Sequence, residues 1–154
     1  MKLYKTHGDY RIYLDSSTES GNTFYCRMGR YFADRSIAKE LAEPLYDSNT
    51  SLWLMATDAG GNIIAFGCLD TERMERKGEA VMTFGYVLPA HRNHGLHTAL
   101  FEARLRLAAD IGARTVYGVA NGRSKSTFER HGFTVVRGNG QYTYFRKELT
   151  HEPV

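Results

Sequence analysis

Apolar residues occur along the chain first in short runs and then at helical spacing, which predicts a mixture of strands and helices. SLWLMATD (51–58) and IIAFGCLD (63–70) are apolar runs joined by the Gly-rich AGGN, a pattern typical of a β-hairpin. AVMTFGYVL (80–88) is apolar on both faces and is predicted to be a central strand. After Pro89 the spacing becomes helical, and Gly112 ends the predicted helix. Its apolar face consists of Leu96, Leu100, Ala103, Leu107 and Ile111.

The C-terminal third carries shorter patterns of the same two kinds. RTVYGVA (114–120) predicts a strand and SKSTFERHG (124–132) a short helix. FTVVRG (133–138) and QYTYFRKEL (141–149) predict a final hairpin. This order of elements predicts an α/β (α+β) domain with a mixed, mostly antiparallel sheet and helices on its faces.

The N-terminal third gives a weaker pattern. DYRIYLDSS (9–17) and TFYCRMGRYFA (23–33) are rich in aromatic and β-branched residues, and we predict that they form a hairpin. DRSIAKELAEPLYD (34–47) predicts a helix with Asp34 as its N-cap, whose regular length Pro44 limits. Its apolar face is predicted to consist of Ile37, Leu41 and Leu45.

Length, charge and cysteine content narrow the class of protein. A chain of 154 residues is long enough to close one core, and we expect residues 1–154 to form a single domain. The net charge of +3 suits an anionic ligand but indicates it only weakly. Cys26 and Cys68 could form a disulfide, but we expect two buried free thiols in a reducing compartment. With no secretory leader pattern and no run of about 20 apolar residues, the expected location is the cytoplasm and not a membrane.

The segment VLPAHRNHGLHTAL (87–100) is the candidate for chemistry. A strand ends there, Pro89 stops its ladder, and a helix starts near Gly95. The first amides of a helix have no partners within it, so this junction can bind a phosphate, to which Arg92 would add charge. His91, His94 and His97 could instead ligate zinc, but three ligands drawn from one turn seldom converge, so we expect no metal.

This segment resembles the pyrophosphate loop of the GNAT N-acetyltransferase superfamily, V-x-P-x-x-[RQ]-x-x-G-x-[GA]. Val87, Pro89, Arg92 and Gly95 match it in register, whereas His97 stands where the family has Gly or Ala. A larger side chain at that position must point away from the pyrophosphate or contact it as a donor.

A second segment, NGRSKSTFERHGF (121–133), resembles the family's later motif N-x-x-[AS]-x-x-x-[YF]-x-x-x-G-F. The matching residues are Asn121, Ser124, Phe128, Gly132 and Phe133. The resemblance covers about residues 50–149, so residues 51–149 are expected to be the acyl-CoA-binding core. Residues 1–50 would add N-terminal strands and a helix.

The resemblance implies a sheet splayed open at the central strand, with acetyl-CoA in the wedge. The backbone amide of Val87 would polarise the thioester carbonyl, and the side chain of Asn121 would bind pantetheine. Arg123 and Lys125 would meet the nucleotide phosphates or lie in solvent. The residues implied in donor binding are Tyr86, Val87, Leu88, Arg92, Asn93, His94, Gly95, Leu96, His97, Thr98, Asn121, Ser124 and Phe128.

The resemblance also indicates which residues could be catalytic. Phe128 stands where the family usually has a tyrosine that protonates the departing thiolate. Ser124 lies one helical turn earlier, and its hydroxyl is the candidate for this role. Alternatively, Ser124 is simply a small residue that lets CoA approach. For the general base we favour Glu79, which precedes the central strand, and Tyr86 on it. The implied activity is transfer of an acetyl group from acetyl-CoA to a primary amine by direct attack in a ternary complex.

Two other functions stay open. The motif-bearing half carries many basic residues, which would suit a nucleic acid or an aminoacylated RNA as acceptor. They are Arg73, Arg76, Lys77, Arg104, Arg106, Arg114, Arg123 and Lys125. Alternatively, Phe128 would mark an acyl-CoA-binding sensor without turnover. A homodimer through the last strands is common in the superfamily, and nothing else in the sequence specifies one.

Overall fold

The computed structural model describes residues 1–122 and 124–149. The strands are β1 (Lys2–His7), β2 (Tyr10–Asp15), β3 (Ser51–Thr57), β4 (Ile63–Asp70), β5 (Glu79–Val87), β6 (Thr115–Ala120), β7 (Thr134–Asn139) and β8 (Tyr142–Glu148). The α-helices are α1 (Ser17–Ser20), α2 (Asn22–Phe32), α3 (Arg35–Leu41), α4 (Met74–Lys77), α5 (Leu96–Asp110) and α6 (Lys125–Arg130). A 3₁₀ turn, Pro89–His91, follows β5.

All eight strands form one sheet in the order β1-β2-β3-β4-β5-β6-β8-β7. The neighbouring strands pair antiparallel except β5 and β6, which are parallel. The α/β fold with a mostly antiparallel sheet is therefore confirmed. The hairpins at 51–70 and 134–148 and the central position of β5 also agree with the sequence pattern.

Helices cover the sheet on both faces and give the protein two apolar clusters. On one face, α5 buries its apolar side against β3, β4 and β5, with Phe101 and Phe145 at the centre. On the other face, α2 and α3 pack over Trp53 and Phe66. A strand that is buried on both faces needs apolar residues in both directions, which explains the continuous apolar run of β4, where Ile63 to Leu69 are all buried.

The sheet opens between β5 and β6. The parallel pairing of these strands begins at Glu79 and ends where Met82 faces Gly118. Beyond that point β5 bulges, because Phe84 and Gly85 together face the single Gly67 of β4. Phe84 has a left-handed backbone with φ of 48°. This conformation turns its ring into the α2–α3 cluster, where it stacks on Trp53.

The prediction that residues 23–33 form a strand is wrong. They lie in α2, and β2 instead pairs with β1. The buried residues of α2 are Phe24, Met28 and Tyr31, spaced four and three apart, so they share one face of a helix. The aromatic content of this segment favoured a strand, but the spacing of its apolar positions decides the structure.

Smaller differences concern helix ends and cysteines. Asp34 caps α3 as predicted, accepting a hydrogen bond from the Ser36 amide, but α3 ends at Leu41, so Leu45 is buried outside it. Ile111 follows the end of α5 and is exposed. Cys26 and Cys68 are free thiols, of which only Cys68 is buried. In the described part of the chain, no helix has the length and apolar character to cross a membrane.

Candidate active site

A cavity of about 820 Å³ occupies the gap between β5 and β6. Because residues from both faces of the sheet line it, the cavity passes through the sheet. One wall, which we call the α5 wall, consists of Gly95, Leu96, His97, Thr98, Phe101 and Arg104. The opposite wall, the α3 wall, consists of Glu40, Leu41, Ala42 and Glu43. Of the residues selected from the sequence, the cavity is lined by Tyr86, Val87, Arg92, Asn93, Gly95, Leu96, His97, Thr98, Asn121, Ser124 and Phe128.

The start of α5 presents backbone amides with no helical partner. The first bond in this helix runs from the Ala99 amide to the carbonyl of Gly95, so the amides of Leu96, His97 and Thr98 precede the hydrogen-bonded ladder. Gly95, with φ of 75°, is the N-cap and offers no side chain to satisfy them. Unpaired amides at the positive end of a helix are suited to an anionic phosphate group.

The end of β5 turns one amide toward the gap. The amide of Leu88 donates to the carbonyl of Ile64 on β4 at 2.9 Å. Since successive amides of a strand point to opposite edges, the amide of Val87 points away from β4, into the gap. Leu88 differs from its expected role in donor binding, because its carbonyl also accepts a bond, from the His91 amide, and neither of its backbone groups is available.

Arg92 ties the end of β5 to the α3 wall. Its Nε donates to the carbonyl of Val87 at 3.0 Å, and its Nη2 contacts Oε2 of Glu40 at 2.7 Å. The guanidinium also lies 5.5 Å from the centre of the Tyr86 ring. Arg92 therefore joins the end of β5 to the α3 wall, and its expected role as a charge beside the phosphate stays a prediction.

Asn121 and Ser124 bond to each other where β6 ends. The Ser124 amide donates to Oδ1 of Asn121 at 3.1 Å, the Ser124 hydroxyl donates to the same oxygen at 3.2 Å, and the Asn121 amide donates to that hydroxyl. Phe128 is buried, with its ring stacked on Phe145 and its edge against Gly118, where a Cβ would lie 2.3 Å from Cε1. The ring therefore fills a fitted apolar slot beside the cavity.

Comparison with known protein families identifies the family of this chain. The sequence model of the acetyltransferase (GNAT) family matches residues 10–133, which is most of the chain. The chain belongs to the GNAT family. None of the curated proteins matches the sequence.

Solved structures with the same fold include several acyltransferases. A protein from Klebsiella pneumoniae subsp. pneumoniae described as an acyl-CoA N-acyltransferase superimposes with a TM-score of 0.66 and 16% identity, over 92% of this chain and 98% of that one. An acyl-CoA N-acyltransferase from Pseudomonas aeruginosa gives a TM-score of 0.62 and 19% identity, over 90% and 99%. The CoA-dependent acyl-homoserine lactone synthase BjaI gives 0.61 and 14%, over 92% and 84%. At these identities the likeness is one of fold.

The histidines of this GNAT chain point in different directions. Nδ1 of His91 lies 3.1 Å from the Tyr10 hydroxyl, and the exposed His94 accepts a bond at its carbonyl from His7. The ring of His97 turns toward β5, where its Cε1 would lie 3.7 Å from a Cβ on Gly85. Its pKa is lowered by burial and then by the positive charge of Arg104, so the ring is neutral at neutral pH. Within residues 1–122 and 124–149, no three His, Cys, Asp or Glu form a group that could hold a metal.

Three residues selected from the sequence lie away from the cavity lining: Glu79, Leu88 and His94. Glu79 is at the opposite end of β5, seven residues before Tyr86, which is roughly 23 Å along a strand. A carboxylate at that distance from Tyr86 cannot reach the end of β5, so Glu79 is not in place to act as the general base beside the Val87 amide. Lys125 pairs loosely with Glu129 at 3.9 Å, and Arg123 lies outside the described residues.

Sequence reasoning missed the α3 wall and the burial of Arg104. The pKa of Glu43 is raised by desolvation at this wall, although the residue as a whole is exposed. The pKa of Tyr86 is also raised, first by burial and then by the negative charge of Glu40, so its hydroxyl stays protonated at neutral pH. One signal was available, because Glu40 and Glu43 lie at the C-terminal end of a helix, where the dipole disfavours negative charge.

Proposed function

We propose that the protein transfers an acetyl group from acetyl-CoA to a primary amine, by direct attack within a ternary complex. The observation that carries this proposal is the cavity through the sheet, which joins the free amides of α5 to the carboxylates of the α3 wall. Both substrates can then enter from opposite faces and meet at the end of β5. Residues 1–154 would form a single acetyltransferase domain, since the core at 51–149 and the α3 wall both contribute. The proposed location is the cytoplasm.

The donor would be bound chiefly by backbone groups. The amides of Leu96, His97 and Thr98 would hold the pyrophosphate, and Gly95 would allow it to approach the backbone. Asn121, at the end of β6, would contact the pantetheine arm on the other side of the gap. The residues present fit acetyl-CoA because the unpaired amides of α5 and the gap between β5 and β6 belong to one continuous cavity.

The Val87 amide would stabilise the reaction's developing charge. It points into the gap and is held by a strand that is paired with β4, so it needs no rearrangement to donate to the thioester carbonyl oxygen. A fixed donor aimed at the position where negative charge forms lowers the barrier more than one that must first be oriented.

On the acceptor side, Glu43 would take the proton of the incoming ammonium group. It lines the cavity, and the desolvation that raises its pKa makes it a better base than an ordinary carboxylate. Glu40 is already paired with Arg92, and Tyr86 is protonated, so these two would position the amine.

The departing thiolate would find Ser124 at the end of β6. Its hydroxyl now donates to Asn121 and would have to rotate to reach the sulfur. Phe128 contributes only its apolar edge. Because a thiol is a fair leaving group, the absence of a hydroxyl at position 128 is compatible with transfer.

Calorimetric titration with acetyl-CoA and with CoA tests donor binding directly. We expect saturable binding of both ligands, and lack of binding by either would contradict the proposal. An assay that detects free thiol with a panel of amines then tests transfer. Binding of acetyl-CoA without thiol release on any amine would instead support an acyl-CoA sensor.

One of the basic residues that favoured a nucleic-acid acceptor is buried. Arg104, counted among the basic residues of the motif-bearing half, is buried under the sheet and cannot contribute to a basic surface. Retardation of RNA or DNA that weakens with salt would restore this alternative.

A further inference from the structure

Arg104 is a buried charge that the proposed acetyl transfer does not use. It lies on α5, about two turns after His97, and is only 4% exposed. A Cβ at Gly67 of β4 would lie 2.8 Å from its Nε, and a Cβ at Gly85 of β5 would lie 3.0 Å from its Nη2. Two neighbouring strands therefore have glycine where a larger residue would displace the guanidinium.

The groups around this guanidinium are neutral. Its Nε donates to the carbonyl of Leu100 at 3.3 Å and its Nη1 to the carbonyl of Thr83 at 3.1 Å. Among the described residues, it forms no ion pair with an Asp or Glu. Burial raises the pKa of the nearby Cys68 thiol to about 11, and His97 is neutral as well. Burial also lowers the pKa of Arg104 to about 10, which still leaves it charged at neutral pH.

A purely structural role explains only part of this arrangement. The bond to Thr83 satisfies a carbonyl beside the bulge of β5, which is useful to the fold. However, an arginine has five N–H donors, and Nη2 makes no hydrogen bond to any residue in the described part of the chain. Arg104 lines the cavity. A buried cation without an acid is costly, and an anion from outside the protein would offset that cost.

We propose that Arg104 binds a carboxylate of one of the two substrates inside the cavity, and so determines substrate specificity. The proposal rests on the proposed function, because it places this carboxylate in the same reaction chamber. Gly85, which flanks Nη2, is two residues from Val87, or about 7 Å along the strand. A carboxylate there is within the length of a small substrate from the amide that would polarise the thioester.

Two sources of the carboxylate fit this position. The acceptor can be an amino acid, which carries a carboxylate close to its amine. Alternatively, the acyl group of the donor can end in a carboxylate, as in succinyl-CoA. In both cases the guanidinium recognises the same planar anion through charge-assisted hydrogen bonds.

The test compares binding of charged and neutral probes to the full chain by calorimetry. In the donor arm, succinyl-CoA is compared with acetyl-CoA and with free CoA. In the acceptor arm, the CoA-saturated protein is titrated with acetate, succinate and the twenty amino acids, each beside its carboxamide. We expect the carboxylate probe to bind at least about tenfold more tightly than its neutral counterpart in one arm, and the arm identifies the source.

Arg104→Met and Arg104→Lys assign any preference to this residue. Arg104→Met removes the charge but keeps an unbranched buried side chain, and we expect it to abolish the preference while free CoA still binds. Arg104→Lys keeps the charge and should restore part of the preference. Thermal unfolding of both variants checks that they fold. If Arg104→Met does not fold, Arg104→Lys serves as the readout. Because lysine lacks the planar guanidinium, this variant should lose most of the carboxylate preference.

The possible failures are distinguishable. If free CoA binds and neither arm shows a carboxylate preference, or if the preference survives in Arg104→Met, Arg104 is structural and only this inference is overturned. If neither CoA nor its thioesters bind, the proposed function fails and this inference fails with it.

Discussion

The two walls of the cavity are built in different ways. The α5 wall presents backbone amides held by a glycine N-cap and a regular helix. The α3 wall presents carboxylate side chains, Glu40 and Glu43, at the end of a seven-residue helix. The amides of the α5 wall depend on a backbone geometry that few sequences adopt. The carboxylates of the α3 wall are side chains, which single substitutions can change.

This difference explains which wall the sequence revealed. An amide cluster requires a strand end, a glycine and a helix start at fixed spacing, so Val87, Pro89 and Gly95 formed a recognisable pattern. The α3 wall requires only a helix that brings two acids to the right place. We infer that the amides of the α5 wall hold the donor and that the carboxylates of the α3 wall position and deprotonate the amine. Each prediction below alters the end of β5 or one of the two walls and leaves the rest of the cavity intact.

The largest expected effect comes from removing the amide of Val87, which faces the gap. Val87→Pro deletes this N–H, and we expect kcat to fall by about 100- to 1000-fold, as for loss of one oxyanion donor. Because the amide is not used in the pairing with β4, the sheet should persist. Steady-state kinetics and thermal unfolding measure the two effects.

Two matched variants control this result. Val87→Ala keeps the amide and removes side-chain packing, so it should retain most of kcat. Leu88→Pro removes the amide that bonds to Ile64, so it should lower stability instead. If Val87→Pro were as active as Val87→Ala, the amide of Val87 would have no catalytic role.

A smaller but still large effect is expected at the α3 wall. Glu43→Gln removes the proposed base, and we expect kcat to fall by about 100-fold while the affinity for acetyl-CoA stays unchanged. Glu75→Gln, on α4 and outside the cavity lining, is the matched control and should have no effect.

The pH profile gives an independent check on Glu43. A base acts in its deprotonated form, so activity is lost as pH falls through its pKa. Since desolvation raises the pKa of Glu43, this acidic limb should lie at higher pH than for an ordinary glutamate, and it should disappear in Glu43→Gln. A limb that stays in place in the variant would assign the base to another group.

The fold was predictable where one pattern dominates. Apolar runs gave β3, β4 and β5, and helical spacing gave α5, because burial on one or two faces imposes a period on the sequence. Segment 23–33 was misassigned because its aromatic residues favour strands in isolation, whereas packing on one face of the sheet makes it a helix.

The site was predictable only as far as it depends on local spacing. The bulge at Phe84 arises from pairing between β5 and β4, and the position of Arg104 depends on Gly67 and Gly85, which are distant from it in sequence. Such features require three elements to be placed together, and no periodicity in one segment encodes them. Glu79 shows the same limit, because it lies at one end of β5 and the Val87 amide lies at the other.

A moderate effect is expected from the N-cap of α5. Gly95→Ala adds a Cβ at a φ of 75°, where it would lie 3.2 Å from Nε2 of His7. We expect this change to cost about 1 kcal/mol of stability and to weaken acetyl-CoA binding by about tenfold, because the amides shift. Gly112→Ala, at φ of 86° after the other end of α5, has the same backbone cost with open space around it. It should destabilise the fold without changing donor affinity, and equal affinities in both variants would contradict the role of the N-cap.

The smallest expected effect is on the turn that carries the α3 wall. Ala42 has φ of 61°, and the amides of Ala42 and Glu43 bond back to Lys39 and Ala38 in a Schellman arrangement. Ala42→Gly should stabilise the protein by about 0.5 kcal/mol, because relief of left-handed strain exceeds the entropy lost by glycine. Ala33→Gly, at the end of α2 with φ of −85°, has no strain to relieve and should destabilise it by a similar amount. Opposite shifts in the unfolding midpoint, with acetyl-CoA affinity unchanged in both variants, would show that the α3 wall can be altered without disturbing the α5 wall.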